Sequence, residues 1–127
     1  MSLALEEAVR LYQSMSDTSK AGLLGRLCFD LTIAFRDIAL ASPVTQSDLE
    51  KLQGINEIQH KALSQMLAHQ HGRADRYSDR DFFLLLITMG KNYKVSGYLQ
   101  NSLMMALEAQ RHTLHPNVNE KACTPGS

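Results

Sequence analysis

The sequence contains no tryptophan, only two cysteines and no surplus of either charge, since 13 lysines and arginines balance 13 aspartates and glutamates. Cys28 and Cys123 lie far apart and form no Cys-x-x-Cys pair, which disfavours a zinc site or a thioredoxin-type redox site. Binding to nucleic acid usually requires a basic surplus or a basic stripe on the protein. The composition therefore disfavours both cysteine-based metal chemistry and a nucleic-acid partner.

Long apolar runs are also missing from the sequence. No stretch approaches the roughly 18 consecutive apolar residues that a membrane helix requires. The opening segment, MSLALEEAVR, carries acidic residues where a signal peptide would have a basic region. We therefore expect a cytoplasmic protein with no membrane partner.

Helical patterns dominate what is present, in a chain whose 127 residues suit one domain. Apolar residues recur at spacings of three and four, as on the core-facing side of a helix. They predict a short helix over residues 3–15 and four principal helices, over 18–41, from 47 to about 71, over 79–89, and from 95–98 to about 112. Because the connections are short, we expect an all-α antiparallel bundle, with a single domain over 1–112 and an extended tail over 113–127.

The third helix, SDLEKLQGINEIQHKALSQMLAHQH, gives the clearest clue to function. Ser47 and Glu50 have the spacing of a capping box, so the helix is expected to begin there. One broad side is expected to face the core and contains Leu49, Leu52, Ile55, Leu63, Met66 and Leu67. Asn56 and Gln59 fall within this side, and His60 lies at its edge. Because a buried amide without a partner costs about 1–3 kcal/mol, Asn56 and Gln59 require partners from another helix, another chain or water.

These polar residues allow two interpretations. They can fix the register of packed helices, as a single asparagine does in a coiled coil, or they can bind a ligand. Met104 and Met105 in the last helix likewise suit either an uneven core or an adaptable binding surface.

Glycines and caps refine the predicted helices. Gly22 and Gly25 would each cost about 1 kcal/mol in a helix interior relative to alanine. Either another helix approaches closely there, or the second helix begins after them. Ser78 and Asp81 have capping-box spacing at the start of the fourth helix, and Gly90 is predicted to end it.

Catalytic and metal-binding sets are sparse. The segment from Asn56 to His60 echoes the His-Glu-x-x-His zinc helix but lacks its first histidine. His69 and His71 point in different directions on a helix, although at a frayed helix end they could converge with Asp75 on a metal. We predict no catalytic residues, no cofactor and no resident metal.

Basic residues in the chain are interleaved with acidic ones. The segment GRADRYSDRD alternates arginines with aspartates, which is more typical of a solvated, internally paired linker than of a nucleic-acid site. A nucleic-acid surface would have to be built from Arg73, Arg76, Arg80, Lys91 and Lys94. The neighbouring aspartates argue against it.

The balance of these patterns favours a small non-enzymatic, regulatory helical module that binds another protein or forms a homo-oligomer. Its predicted contact surface consists of Asn56, Gln59 and His60 on the third helix with Met104 and Met105 on the last. The alternative is a bundle that binds a metal or a small molecule, with His60, Asn56 and Glu57 facing a cavity between helices.

Overall fold

The computed structural model describes residues 5–73 and 76–114, which form five α-helices and no strand. The helices are α1 (Leu5–Gln13), α2 (Asp17–Ala39), α3 (Gln46–Gln70), α4 (Asp79–Asn92) and α5 (Ser96–Leu114). The predicted all-helical bundle with a short first helix is confirmed. Helix α5 runs two residues past the predicted domain end at residue 112, and the rest of the predicted tail, 115–127, lies outside the described residues.

Helix α2 is central to the packing. It makes the most extensive contacts in the bundle, with α3 and with α5, whereas α1 and α4 pack against each other. Along the contact between α2 and α3, residue numbers rise on one helix as they fall on the other: Gly25 lies beside Met66, and Thr32 is bonded to Gln59. These two helices are therefore antiparallel, as predicted.

The core lies between the buried side of α2 and the aromatic residues of α1 and α4. Tyr12 and Phe83 pack with their ring centroids 5.1 Å apart, and Phe82 is fully buried beside them. Fully buried leucines cover the facing side of α2: Leu23, Leu24, Leu27 and Leu31. Burial of these large side chains, at about 1.5–3 kcal/mol for each, is the main favourable contribution to the fold.

Helix α3 is rotated relative to the prediction. Leu49, Leu63 and Leu67 are 51%, 43% and 44% exposed, so their predicted placement in the core is wrong. The buried side of α3 carries instead Gly54, Ile55, Ile58, Ala62, Gln65, Ala68 and His69. Glycine and alanine on this side allow neighbouring helices to approach closely, which a row of leucines would prevent.

Side-chain caps fix the starts of α2, α3 and α4, and at α2 the Ser16 hydroxyl accepts from the Ser19 N–H. The Thr45 hydroxyl accepts a hydrogen bond from the Asp48 N–H, and the Asp48 carboxylate accepts one from the Thr45 N–H. This capping box replaces the one predicted at Ser47 and Glu50, because Thr45 lies at the point where the extended backbone enters α3. At α4 the predicted cap is confirmed, since the Ser78 hydroxyl accepts from the Asp81 N–H.

Two helix ends turn through residues with positive φ. Gly72 has φ 62° and follows α3, where glycine tolerates this conformation best. Lys94 has φ 61° and follows α4, and the N–H of Val95 then bonds to the carbonyl of Gly90. The predicted end of α4 at Gly90 is therefore wrong, because the helix continues through Asn92 before it turns.

Close helix approach occurs at Gly54 rather than at the two glycines of α2. A Cβ atom added to Gly54 would overlap the Tyr93 side chain at the end of α4. At Gly22 and Gly25 an added Cβ would lie 3.6 Å from its nearest neighbour, an ordinary van der Waals distance. A later start of α2 is also excluded, because the helix begins before both glycines.

Candidate functional site

A line of exposed side chains along α3 is the first candidate for a functional surface. We call it the α3 outer face and define it by Leu49, Gln53, Asn56, His60, Leu63 and Leu67, all of which are exposed. Their spacings of four and three residues place them on one side of the helix. No lysine, arginine, aspartate or glutamate interrupts this line. The α3 outer face therefore combines three exposed leucines with uncharged polar groups.

The predicted polar residues of α3 have different environments. Asn56 and His60 are exposed on the α3 outer face, so the expectation that Asn56 is buried is wrong. Gln59 is half-buried, and its amide nitrogen donates to the Cys28 carbonyl oxygen at 2.9 Å and to the Thr32 hydroxyl at 2.8 Å. The predicted need of Gln59 for a partner from another helix is confirmed. Gln59 thus joins α3 to α2 directly beside the α3 outer face.

Apolar exposure continues from α3 onto α2. Phe29 is 62% exposed, an unusual position for a phenylalanine. Because Gly25 lies beside Met66 and Thr32 beside Gln59, Phe29 is level with Leu63 along the antiparallel pair. The exposed ring thereby widens the apolar surface at the end of the α3 outer face that holds Leu63 and Leu67.

The two predicted methionines lie on α5. Met104 and Met105 are 42% and 45% exposed, so neither fills the core. Both α3 and α5 pack on α2, and within the described residues they make no comparable contact with each other. The five predicted partner-binding residues are therefore spread over two helices on different sides of α2.

A hydrogen-bonded chain, buried at Tyr12 and His69 and exposed at Asp17, links the first three helices and was not predicted. The Tyr12 hydroxyl lies 2.9 Å from Nε2 of His69, and Nδ1 of His69 lies 3.0 Å from Oδ1 of Asp17. The side chains of Tyr12 and His69 are fully buried. A carboxylate only accepts hydrogen bonds, so Nδ1 of neutral His69 donates to Asp17 and Nε2 accepts from Tyr12. The neutral imidazole therefore satisfies both partners.

Burial and charge stabilise this protonation pattern. Burial lowers the pKa of His69, and the nearby cations of Arg76 and Lys20 lower it further, whereas the hydrogen bond to Asp17 partly opposes the shift. The hydrogen bond to His69 lowers the pKa of Asp17. Burial raises the pKa of the Tyr12 phenol, as does the negative charge of Asp79. At neutral pH His69 is therefore an uncharged imidazole, Asp17 is a carboxylate and Tyr12 is an uncharged phenol.

A salt bridge ties the same region to α4. Nζ of Lys20 lies 3.0 Å from Oδ2 of Asp79 and 5.4 Å from the centroid of the Tyr12 ring. Both charged side chains are largely buried, so the pair is screened less than a surface pair would be. With the chain through His69, this pair connects α1, α2, α3 and α4. Because Tyr12 and His69 are closed off from solvent, we assign the network a structural role.

Gln65 is the second buried polar residue of α3. Its amide nitrogen donates to the Tyr77 carbonyl oxygen at 2.9 Å, and its amide oxygen accepts from the Tyr77 N–H at 3.3 Å. The side chain thus pairs with both backbone groups of one residue in the segment that leads into α4. Arg80, in the segment predicted to be internally paired, lies 3.2 Å from Glu6 of α1, so this pair is made outside the segment.

Side chains that could bind a metal or act as a nucleophile are present in the described residues. No set of three or more histidine, cysteine, aspartate or glutamate side chains is placed there so that it could hold a metal. His69 is engaged by Tyr12 and Asp17, and His71 is exposed at the end of α3. Burial raises the pKa of the Cys28 thiol to about 11, which leaves little nucleophilic thiolate at neutral pH.

Comparison with protein-family models, with curated proteins and with solved structures returns no match for this chain. Within the described residues, none of the helices combines the length and the apolar character needed to cross a bilayer. The geometry described above therefore carries the functional argument.

Proposed function

We propose that the chain is a non-enzymatic protein-interaction module that binds another protein or a second copy of itself. The observation that supports this proposal is the α3 outer face, where exposed leucines lie on both sides of a polar stretch that contains Asn56 and His60. Leu63 and Leu67 adjoin each other one turn apart, with Phe29 level with them on α2, and adjoining exposed apolar side chains are more typical of interaction sites than isolated ones. A regulatory role in the cytoplasm is the form that we propose, and the free thiol of Cys28 suits a reducing compartment.

The arrangement of the α3 outer face suits docking by a helix or a flat apolar surface. Removing the apolar surface of the leucines from water is favourable and stabilises the contact. Asn56 and His60 would be left without hydrogen-bond partners if an apolar surface covered them, so they select a partner that offers polar groups at this level. Gln59 has a supporting part in this proposal, because its bonds to α2 hold α3 at a fixed distance from Phe29.

Met105 extends the proposed contact region on the α5 side of α2, with Tyr98 exposed on the same helix. Met104 is equally exposed but lines a groove on the opposite flank of α5, next to α1 and α4. We therefore keep Met105 as a secondary contact of a large partner, and we assign Met104 to the groove.

The alternative function, binding of a metal or a small molecule by His60, Asn56 and Glu57, receives less support. All three side chains are exposed, so they do not face a cavity between helices. The Glu57 carboxylate also accepts a 2.6 Å hydrogen bond from the Tyr93 hydroxyl.

Charge reversal of the apolar surface tests the proposal. We expect a Leu63→Glu/Leu67→Glu double variant to lose self-association or its stoichiometric protein partner, because two carboxylates would have to be desolvated in the contact. Its free energy of unfolding should change by about 1 kcal/mol or less, since both leucines are nearly half exposed. Sedimentation equilibrium measures self-association, and quantitative affinity capture from lysate of the source organism measures partner binding.

Leu84→Glu is the matched control, because Leu84 is 41% exposed on α4 and does not belong to the α3 outer face. This variant should have the assembly state of the wild-type chain and co-purify with the same proteins. If the double variant folds and retains the assembly state and the co-purifying proteins of the wild type, the α3 outer face is not the contact surface.

A further inference from the structure

A groove between α1, α4 and α5 forms a separate feature of the molecule. Its volume is about 300 Å³, at the lower end of the range of small-molecule sites. Apolar side chains from all three helices form its walls, among them Leu5, Ile87, Leu103 and Met104. None of these residues belongs to the α3 outer face, so the groove is independent of the proposed protein contact.

The polar groups of the groove come together where α4 ends and α5 begins. They are Lys91 in the last turn of α4, and Ser96 and Gln100, which are one turn apart on α5. The position of a Cβ on Gly90, the residue before Lys91, would be 3.4 Å from the Ser96 hydroxyl oxygen. Lys91 and Ser96 are therefore neighbours across the junction, and none of the described residues that line the groove is a carboxylate.

This distribution of groups defines the chemistry of a ligand. The apolar walls of the groove require a ligand with an apolar chain, whose burial is favourable by about 0.8 kcal/mol per methylene. Among the described residues of the lining, Lys91 alone is charged and it is positive, so the head group of the ligand should be anionic. Ser96 is the first residue of α5, so the positive end of that helix dipole lies beside the same position.

We propose that the groove binds a single-chain amphiphile with an anionic head, of the class of medium-chain carboxylates. The head lies at Lys91 and Ser96, and the chain runs along the walls toward Leu103 and Leu5. Another segment of the chain is the alternative occupant, and in the experiment below it would abolish saturable binding.

Isothermal titration of the full-length chain with decanoate, kept below its micellar concentration, tests the proposal. We expect saturable binding of one decanoate per chain. Lys91→Met should weaken the affinity about tenfold or more, because it removes the charge-assisted partner of the head group. Met104→Trp should weaken it as well by filling the groove, while circular dichroism reports whether each variant is folded.

Two controls make the test specific. Lys94→Met removes an exposed lysine that lies outside the groove and should leave the affinity unchanged. Decyltrimethylammonium, with the same chain and a cationic head, should bind the wild type more weakly than decanoate and should bind Lys91→Glu more tightly than the wild type.

Three results would overturn the proposal. The first is an absence of saturable decanoate binding to the full chain, which is also the result expected if the chain itself already fills the groove. The second is an equal loss of affinity in Lys91→Met and Lys94→Met. The third is equal binding of the anionic and cationic amphiphiles by the wild type.

Discussion

Replacement of Gly54 by alanine is expected to lower the free energy of unfolding by about 3 kcal/mol. The added Cβ would overlap the Tyr93 side chain, so α3 and the end of α4 would have to separate. Overpacking of a tightly packed site costs about 1–3 kcal/mol and occasionally more. The cost outweighs the roughly 1 kcal/mol that alanine gains over glycine in a helix interior. Chemical denaturation monitored by circular dichroism measures the change.

Gly25→Ala is the matched control for this prediction. An alanine Cβ at this position has room, because its nearest neighbour would be the Met66 sulfur at 3.6 Å. The substitution should therefore raise the free energy of unfolding, by up to about 1 kcal/mol. A shift of the free energy of unfolding in the same direction in both variants would contradict the close packing of Tyr93 on Gly54.

His69→Leu should destabilise the fold by about 2–4 kcal/mol. It leaves the buried Tyr12 hydroxyl without its acceptor and removes the link to Asp17. An unsatisfied buried polar group costs about 1–3 kcal/mol, and the change of shape at a fully buried site adds to this. Tyr12→Phe removes only the hydroxyl and should cost less, which urea denaturation of both variants would show.

The same histidine should make stability depend on pH. Its pKa is lower in the folded chain than the ordinary value near 6.5. The unfolded state consequently binds more protons below neutral pH, and the free energy of unfolding decreases as the pH falls through that value and below it. Asp17, whose folded pKa is also lowered, acts in the same direction at more acidic pH. The contribution of both groups is complete at neutral pH.

Denaturation at a series of pH values checks this dependence. His69→Gln should have a flatter profile than the wild type between pH 7 and pH 5, whereas His60→Gln, on the exposed side of α3, should retain the wild-type slope. A wild-type stability that is constant over this interval would contradict the assignment of His69 as a buried neutral imidazole.

Spacing in the sequence was sufficient to predict the helices but not the rotation of α3. Two apolar sides compete on this helix: a leucine-rich one and one formed by Ile55, Ile58 and Ala62. The second continues at the same spacings of three and four through Gln65 and His69, two polar residues that the prediction did not expect in the core. Their burial depends on tertiary partners, which helical periodicity does not register.

The long-range contacts explain the remaining differences. His69 is buried because Tyr12 and Asp17, 57 and 52 residues away in the chain, meet it in space. A side chain at position 54 would overlap Tyr93, which directly follows α4. The groove needs residues of three helices at once. None of these juxtapositions follows from local patterns, whereas Asn56 and Gln59 could be singled out because they fall within the predicted apolar side of the third helix.

The most direct test of the interaction surface is photo-crosslinking in cells of the source organism. A benzophenone amino acid replaces His60 in the centre of the α3 outer face, and in a control chain it replaces Glu7, which is exposed on α1. The proposal predicts a discrete crosslinked protein, or a crosslinked dimer, from position 60 that is absent from position 7 and lost in the Leu63→Glu/Leu67→Glu background. Identical crosslinking patterns from both positions, or no crosslink from position 60, would contradict it.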